Sequence, residues 1–241
     1  NSNIEVESGL LAEECNEQMS EFMHWCENMS PEVLLKAAID ANGRVDCDPN
    51  ESAQRFSSPE SLEIVHALRA DSMAILVGVD TVVRDDPSLT VRGPDIGPRN
   101  SPIRVVVDPS GRIPKDCRLM NDGKAPTLLI HVDPFESSNS DKQHVERAFL
   151  SASNGEIPIA RILDYLGDRG IQSLLVEGGP NTWRRFLSEG LVDRAHICQS
   201  PVKLSGSGTV FSDNELSSAG LSKFREIEVG GDKISHWRRE D

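Results

Sequence analysis

Residues 173–181 read Ser-Leu-Leu-Val-Glu-Gly-Gly-Pro-Asn, and this stretch decides the fold class of the chain. Its first four residues, ending at Val176, predict a strand that is buried on both faces of a sheet. Two glycines and Pro180 follow, and a helix is predicted to begin after them. That helix is predicted to span Asn181 to Glu189 and to end at Gly190. A buried strand that leads through a glycine turn into a helix is typical of an α/β protein.

Further apolar runs surround this stretch on both sides. They predict four more buried strands, at Val33–Ile39, Ala74–Val79, Ile103–Val107 and Thr127–Val132. Near the C-terminus, residues 224–229 and 233–237 flank a Gly-Gly-Asp turn and predict a hairpin. The expected fold class is therefore α/β, with a mostly parallel central sheet, helices on both faces and an antiparallel C-terminal hairpin.

Helices are predicted between these strands and before them. One begins at Pro59, with Ser58 as its N-cap, and another spans 159–169. Residues 8–28 are predicted to form a single amphipathic helix, whose apolar stripe consists of Leu11, Cys15, Met19, Phe22, Met23 and Cys26. Residues 134–158 are rich in Ser, Asn and charge, and they predict a surface loop with one helix.

Composition narrows the classes of function. The 241 residues carry a net charge of −14, which opposes nonspecific binding to nucleic acid or anionic lipid. No run of about 18 apolar residues occurs, so no membrane helix is expected. The N-terminus has no signal of a targeting peptide. The five cysteines are widely spaced without a Cys-x-x-Cys pair, which predicts no metal site and a reducing compartment.

The glycine turn at Gly178 and Gly179 is the first candidate site. Glycines allow a backbone to approach a ligand closely, and a helix N-terminus offers free N–H groups to an anion. The turn therefore suits a dinucleotide pyrophosphate, although a plain tight turn is the alternative. Glu177 lies at the carboxyl end of a parallel strand, where α/β sheets bind ligands.

Two other segments carry candidate chemical groups. Asp85 is a candidate general acid or substrate ligand, and Arg92 is a candidate phosphate ligand. A solvated, charged loop is the alternative for both. Lys36 lies within an otherwise apolar strand, where a buried lysine needs a partner or a task. The alternative is an edge strand whose lysine reaches out to water.

These segments, in this order, resemble the C-terminal reductase domain of the bifunctional riboflavin-biosynthesis deaminase–reductase family, which has a dihydrofolate-reductase-like fold. The resemblance covers roughly 31–237 and is carried by residues 65–70, 74–92, 102–108, 174–180, 190–193 and 200–204. Residues 1–30 resemble the linker and helix that follow the deaminase domain, so residues 31–241 are expected to form the reductase domain. The Pro-Cys-x-x-Cys pair of the deaminase is absent, and its zinc chemistry is not expected here.

The resemblance implies a 5-amino-6-(5-phosphoribosylamino)uracil reductase. Such an enzyme transfers a hydride from NADPH to C1′ of a phosphorylated ribosylamino-pyrimidine. It also implies a homodimer, in the cytoplasm or, in a photosynthetic eukaryote, the plastid stroma. The apolar stripe of residues 11–26 likewise leaves surface for a second copy to cover.

Roles for individual residues follow from the resemblance. The catalytic residues that it implies are Lys36, Asp85 and Glu177. The implied substrate-binding residues are Lys36, Ser57, Arg69, Asp85, Leu89, Arg92 and Glu177, and of these Arg69 and Arg92 would bind the 5′-phosphate. The implied cofactor-binding residues are Ala38, Thr81, Asp108, Gly178, Gly179, Pro180 and Asn181. No metal ligand is implied.

Four positions depart from the family pattern. Asp40 and Asn42 replace the usual Ser and Asp, Ser57 replaces Thr and keeps the hydroxyl, and Pro109 replaces Ser. Asp40 is expected to place an anion close to Lys36 and to neutralise it. Pro109 removes a donor near the expected 2′-phosphate of the cofactor.

Three alternatives remain open. The domain could be a degenerate reductase that serves as a scaffold, a reductase of the non-deaminated 2,5-diamino pyrimidinone, or a dihydrofolate reductase. The segment from Asp85 to Arg92 and the resemblance of residues 1–30 to the linker argue against dihydrofolate reductase. Turnover of NADPH with each pyrimidine distinguishes the other two from the uracil reductase.

Overall fold

The buried apolar runs assemble into one sheet. The computed structural model describes residues 7–48, 54–93, 101–132, 142–153, 155–206 and 208–240. Within these ranges the strands are β1 Glu32–Ile39, β2 Ala74–Gly78, β3 Ile103–Val107, β4 Thr127–Val132, β5 Val145–Leu150, β6 Ser173–Val176, β7 Arg194–Gln199, β8 Leu221–Val229 and β9 Asp232–Arg239. Among the described residues the nine strands follow the order β5-β4-β3-β2-β6-β1-β7-β9-β8.

The direction of the strands confirms the predicted fold class. From β5 through β7 every neighbouring pair is parallel, whereas β9 pairs antiparallel with both β7 and β8. The tight turn between β8 and β9 forms the predicted C-terminal hairpin. Strand β6, which precedes the glycine turn, lies at the centre of the sheet between β2 and β1.

Helices cover both faces of the sheet, as predicted. Those described are α1 Ala12–Gln18, α2 Ser20–Asn28, α3 Pro59–Asp71, α4 Val79–Asp85, α5 Arg118–Asn121, α6 Ile159–Asp168, α7 Pro180–Ser188 and α8 Asp213–Ser218. Apolar side chains of α6, α7 and α8 pack in one core cluster on the sheet, and those of α4 and α5 pack in a second. Ser58 caps α3 as predicted, because its hydroxyl accepts from the Ser61 N–H.

Two predictions about local structure are wrong. Residues 134–158 are predicted to form a surface loop with one helix. Positions 134–141 and 154 lie outside the described residues, but in the remainder of this range residues 145–150 form β5, the outermost parallel strand. Its exposed edge explains the polar sequence, because only part of an edge strand is buried. The single helix expected over 8–28 is two helices, α1 and α2, separated at Met19. Among the described residues no helix is long and apolar enough to cross a membrane.

Candidate functional site

The carboxyl ends of β1, β2 and β6 meet at one edge of the sheet and open into a cavity of about 540 Å³. This is the edge at which open α/β sheets bind ligands. Nine residues predicted from the sequence line it: Lys36, Ala38, Thr81, Asp85, Glu177, Gly178, Gly179, Pro180 and Asn181. Three separate segments of the sequence thus contribute to one site.

Five predicted residues lie away from the described lining of this cavity. Leu89 is buried in the second core cluster, and the Ser57 hydroxyl lies 3.8 Å from the Cys198 Sγ. The backbone N–H of Arg92 donates to His66 Nδ1. Arg69 contacts the Glu177 carboxylate. Asp108 is fully buried, and its carboxylate accepts from the Arg112 N–H. The predicted contact of these five with ligand therefore stays a prediction.

Glu177 and Arg69 form the strongest ion pair of the site. The Arg69 Nε donates to Glu177 Oε1 at 2.5 Å, and Nη2 donates to Oε2 at 2.7 Å. The side chains are only 13% and 9% exposed, so little water screens the pair. Nη1 also donates to the Thr90 carbonyl at 3.1 Å. Three of the five N–H groups of Arg69 are thereby engaged within the protein.

This cluster fixes the charges at the cavity wall. Burial opposes ionisation of Glu177, but the hydrogen bonds and charge of Arg69, together with the charge of Lys36, outweigh it and lower the Glu177 pKa. Burial also lowers the pKa of the Lys36 ammonium, and the Glu177 carboxylate offsets only part of that effect. Glu177 is therefore an acceptor, whereas Lys36 is a cation that gives up its proton more easily than an exposed lysine.

Asp40 does not neutralise Lys36, contrary to the expectation from the sequence. Its Oδ1 accepts from the N–H groups of Asn42 and Arg44, at 2.7 and 2.6 Å, and its Oδ2 accepts from Leu204 at 2.8 Å. The groups that shift the Lys36 pKa are Glu177, Cys198 and Arg69. Because all three donors to Asp40 are backbone groups, this carboxylate holds the turn after β1 in place.

The glycine turn joins β6 to α7 at the wall of the cavity. Gly179 is the N-cap of α7, without a capping side chain, and its N–H donates to the Thr81 Oγ1 at 3.2 Å. A Cβ at Gly178 would lie 2.7 Å from the Thr182 Cβ, so only glycine fits this close packing of turn and helix. The first turn of α7 therefore begins at the cavity wall without a side-chain cap.

Several residues of the cavity wall were not predicted. Asp46, Arg84 and Thr209 line it, and the Arg84 Nη1 donates to Asp46 Oδ2 at 2.9 Å. Asp46 in turn accepts from the Thr209 N–H. Only the fold brings these segments together, although the position of Arg84 next to Asp85 in the sequence is a signal that could have identified it. The described residues bring together no group of three or more His, Cys, Asp or Glu side chains that could hold a metal ion.

Sequence comparisons with known proteins identify one protein family, the one that the sequence was found to resemble. The model of the RibD C-terminal domain family matches residues 31–235. The chain is 34% identical to the riboflavin biosynthesis protein RibD of Aquifex aeolicus, over 99% of this chain and 66% of that protein. It is also 34% identical to the 2,5-diamino-6-ribosylamino-4(3H)-pyrimidinone 5′-phosphate reductase of Methanothermobacter thermautotrophicus, over 74% of this chain and 81% of that enzyme.

A solved structure supports the same relationship. The diaminohydroxyphosphoribosylaminopyrimidine deaminase/5-amino-6-(5-phosphoribosylamino)uracil reductase of Thermotoga maritima superposes with a TM-score of 0.80 at 26% identity. The match covers 98% of this chain and 64% of that protein. The chain thus spans slightly less than two thirds of the Aquifex and Thermotoga proteins.

Proposed function

The chain belongs to the RibD C-terminal domain family, and from this membership we propose that it is a reductase of riboflavin biosynthesis. Its substrate is the phosphorylated ribosylamino-pyrimidine, and its product is the ribitylamino compound. One observation carries the proposal: Lys36, Asp85 and Glu177 converge in a single cavity beside the Gly178–Gly179 turn. A degenerate scaffold would not need to keep a buried lysine and carboxylate in contact with a ligand cavity.

The proposed cofactor is NADPH, which supplies the hydride that reduces C1′ when it is bound. The residues fit such a group. The N-terminus of α7, which has no side-chain cap, would bind the pyrophosphate. The Thr81 hydroxyl, which accepts from the Gly179 N–H, would hold the glycine turn in position beside it. Ala38, at the carboxyl end of β1, leaves room beside Lys36 for a flat ring.

Lys36 is the proposed proton donor. Reduction breaks the bond between C1′ and the ring oxygen O4′, forms a C–H bond at C1′ and consumes one proton, which O4′ retains as a hydroxyl. A lysine with a lowered pKa suits this step, because a general acid works best when its pKa lies near the operating pH. Glu177 keeps Lys36 protonated, and Asp85 would accept hydrogen bonds from the sugar hydroxyls.

We propose the deaminated uracil as the substrate, in line with the name of the Thermotoga relative. The 2,5-diamino pyrimidinone is the second candidate, because the Methanothermobacter relative is named for it. The decisive experiment measures loss of the reduced nicotinamide absorbance with each pyrimidine and with dihydrofolate. Turnover of the uracil form supports the proposal, and turnover of the diamino form alone would reassign the substrate. Turnover of dihydrofolate alone, or no turnover, would contradict a riboflavin reductase.

We further propose a homodimer. The apolar stripe on α1 and α2 remains exposed in the single chain, with Leu11 60%, Phe22 41% and Met23 44% accessible. Contiguous exposed apolar surface is typical of an interface. Light scattering should give twice the chain mass of 26.4 kDa, and Phe22→Glu should shift the protein toward the single-chain mass. A single-chain mass for the unaltered protein would contradict the dimer.

A further inference from the structure

The C-terminal hairpin places a buried carboxylate against the residues that precede α3. Asp232 is the first residue of β9 and is only 2% exposed. Its Oδ2 accepts from the backbone N–H of Ser58, the N-cap of α3, at 2.7 Å. These two residues are 174 positions apart in the sequence, so the contact exists only in the folded chain.

Hydroxyl groups surround the same carboxylate. Burial raises the Asp232 pKa, but hydrogen bonds from the Ser58 backbone and from three serine hydroxyls more than reverse this effect and lower it. The serines are Ser58, Ser61 and Ser200. The Cys198 Sγ lies 3.6 Å from Oδ2 as well. Because a buried charge is stable only where donors satisfy it, Asp232 is an ionised centre that orders the groups around it.

Segment 54–58, which leads into α3, is also held by residues at the end of β7. The Phe56 carbonyl accepts from the Ser200 hydroxyl at 3.0 Å. The Ser57 hydroxyl lies 3.8 Å from the Cys198 Sγ. Together with the hairpin carboxylate, these contacts hold three consecutive residues of the segment against β7 and the hairpin.

The turn of the hairpin packs tightly on the start of α3. Gly230 has a φ of 58°, and a Cβ at this position would lie 2.5 Å from the Ser58 Oγ and 2.8 Å from the Ser58 Cβ. A larger residue would push the hairpin away from Ser58, so glycine is required for the short contact that Asp232 makes.

The segment that Asp232 holds is also part of the ligand cavity. Gln54 and Phe56 line the same cavity as Lys36. Ser57, next to Phe56, is the residue that the family resemblance assigns to the substrate. Asp232 itself is not among the described residues of the cavity wall. The position of this part of the wall therefore depends on a carboxylate that does not line it.

We propose that Asp232 is a positioning residue for the pyrimidine substrate, and that it acts by holding segment 54–58 where Phe56 and Ser57 can contact that substrate. This inference rests on the proposed function, since the wall matters to a substrate only if the cavity binds one. NADPH is proposed to bind at the N-terminus of α7. Loss of Asp232 should therefore weaken binding of the pyrimidine more than binding of the cofactor.

Steady-state kinetics of the full chain tests this, with NADPH and the pyrimidine that the unaltered protein reduces. Asp232→Ala should raise KM for the pyrimidine by about 10- to 100-fold, since a hydrogen bond to a charged group is lost, and change KM for NADPH by less than about threefold. Asp193→Ala is the matched control, because the Asp193 carboxylate also accepts from a backbone N–H, that of Val33, at 2.8 Å. Val33 lies at the amino end of β1, away from the cavity. Asp193→Ala should therefore lower stability in urea and leave both KM values within about threefold.

Two milder variants carry the test if Asp232→Ala does not fold. Asp232→Asn keeps one acceptor oxygen for the Ser58 N–H, so its KM for the pyrimidine should lie between those of Asp232→Ala and the unaltered chain. Ser200→Ala removes the hydroxyl that donates to Phe56, and it should raise the same KM severalfold.

The outcomes separate this inference from the proposed function. An unchanged KM for the pyrimidine in the folded Asp232 and Ser200 variants would overturn it and make Asp232 a purely structural residue. Equal rises in KM for the pyrimidine and for NADPH would overturn it as well, and both results leave the reductase proposal intact. Failure of the unaltered chain to reduce either pyrimidine would overturn the reductase proposal and, with it, this inference.

Discussion

Two buried carboxylates lie at the carboxyl ends of neighbouring strands, Glu177 after β6 and Asp40 after β1, and they are held in opposite ways. Glu177 is bound by the side chain of Arg69 and lies near the Lys36 charge. Asp40 is bound by three backbone N–H groups. In both, burial raises the pKa, and the partners more than reverse that effect.

The difference lies in what each carboxylate can influence. Backbone donors are neutral and fixed, so the charge of Asp40 is used entirely to order a turn. The Lys36 ammonium carries a proton that it can lose, so the charge of Glu177 also raises the Lys36 pKa against the larger, opposite effect of burial. Two carboxylates with the same direction of pKa shift thus act on different groups: Asp40 on a turn of the backbone, and Glu177 on the ionisation of Lys36 at the cavity wall.

The largest expected effect comes from removing Lys36, the proposed proton donor, whose pKa the Glu177 carboxylate raises. Lys36→Met keeps the length of the side chain and removes the ammonium, and kcat should fall by about 10²- to 10⁴-fold. For the unaltered protein, kcat should decline as the pH rises through the lowered Lys36 pKa, because only the protonated form donates. Steady-state kinetics across the alkaline range measures both effects.

A strand lysine outside the cavity provides the control. Lys233 is exposed on β9, and Lys233→Met should leave kcat and its pH profile unchanged. Circular dichroism should show that both variants are folded. If folded Lys36→Met retains the kcat of the unaltered protein, another group donates the proton and the catalytic role of Lys36 is wrong.

Glu177→Gln should change both stability and chemistry. It leaves the Arg69 charge buried without its counter-charge, which costs about 3 kcal/mol of unfolding free energy or more. It also removes the carboxylate that raises the Lys36 pKa, so the alkaline limb of the kcat profile should move to lower pH. Urea denaturation and the pH profile of kcat are the two measurements.

An exposed Arg–Glu pair that also makes two hydrogen bonds is the matched control. Glu146 accepts two hydrogen bonds from Arg169, at 2.6 and 2.8 Å, but the side chains are 52% and 37% exposed. Glu146→Gln should therefore cost less than about 1 kcal/mol and leave the profile alone. A loss of stability in Glu177→Gln with an unmoved alkaline limb would reduce Glu177 to a structural residue.

Asp40→Asn should affect stability alone. Its amide would direct a donor at one of the three N–H groups, at a cost of about 1–3 kcal/mol. Because the Asp40 pKa is lowered in the folded chain, its contribution is complete above the unfolded pKa of about 3.9 and is lost as the pH falls through the folded value. The difference in stability between variant and parent should therefore shrink in acid. Movement of the alkaline kcat limb would show that Asp40 does act on Lys36.

The sequence predicted the elements better than the contacts between them. The runs that became β2 and β6 are apolar almost throughout, and those that became β1, β3 and β4 are apolar except at Glu32, Lys36, Arg104, Thr127 and His131, so most of their burial can be predicted locally. Strand β5 could not be recognised in this way, because an edge strand is half exposed and half polar. Lys36 and the glycine turn line the same cavity, as the sequence predicted, because the carboxyl ends of parallel strands lie at one edge of the sheet.

Side-chain partners could not be predicted in the same way. Asp40 lies four residues beyond Lys36, and proximity in sequence suggested an ion pair. The direction of its side chain depends on Leu204, which is far away in the sequence and reaches Asp40 only in the folded chain. The same applies to Arg69, whose bidentate pairing with Glu177 links two residues 108 positions apart.

The smallest effect should come from Asp85, a third carboxylate at the cavity wall. Its side chain is a quarter exposed at the end of α4 and lies 3.7 Å from the Arg84 Nε across the cavity wall. Asp85→Asn keeps the shape but removes the charge that would accept the sugar hydroxyls, so kcat should fall by about tenfold, or 1.4 kcal/mol. Unfolding free energy should change by less than about 0.5 kcal/mol, because the Asp85 side chain is a quarter exposed and asparagine keeps its shape. The neighbouring Asp86 lies outside the described cavity wall and pairs with Arg118, so Asp86→Asn should leave kcat unchanged. Equal kcat values for the two variants would remove Asp85 from the catalytic residues and leave Lys36 and Glu177 as the groups that carry the reaction.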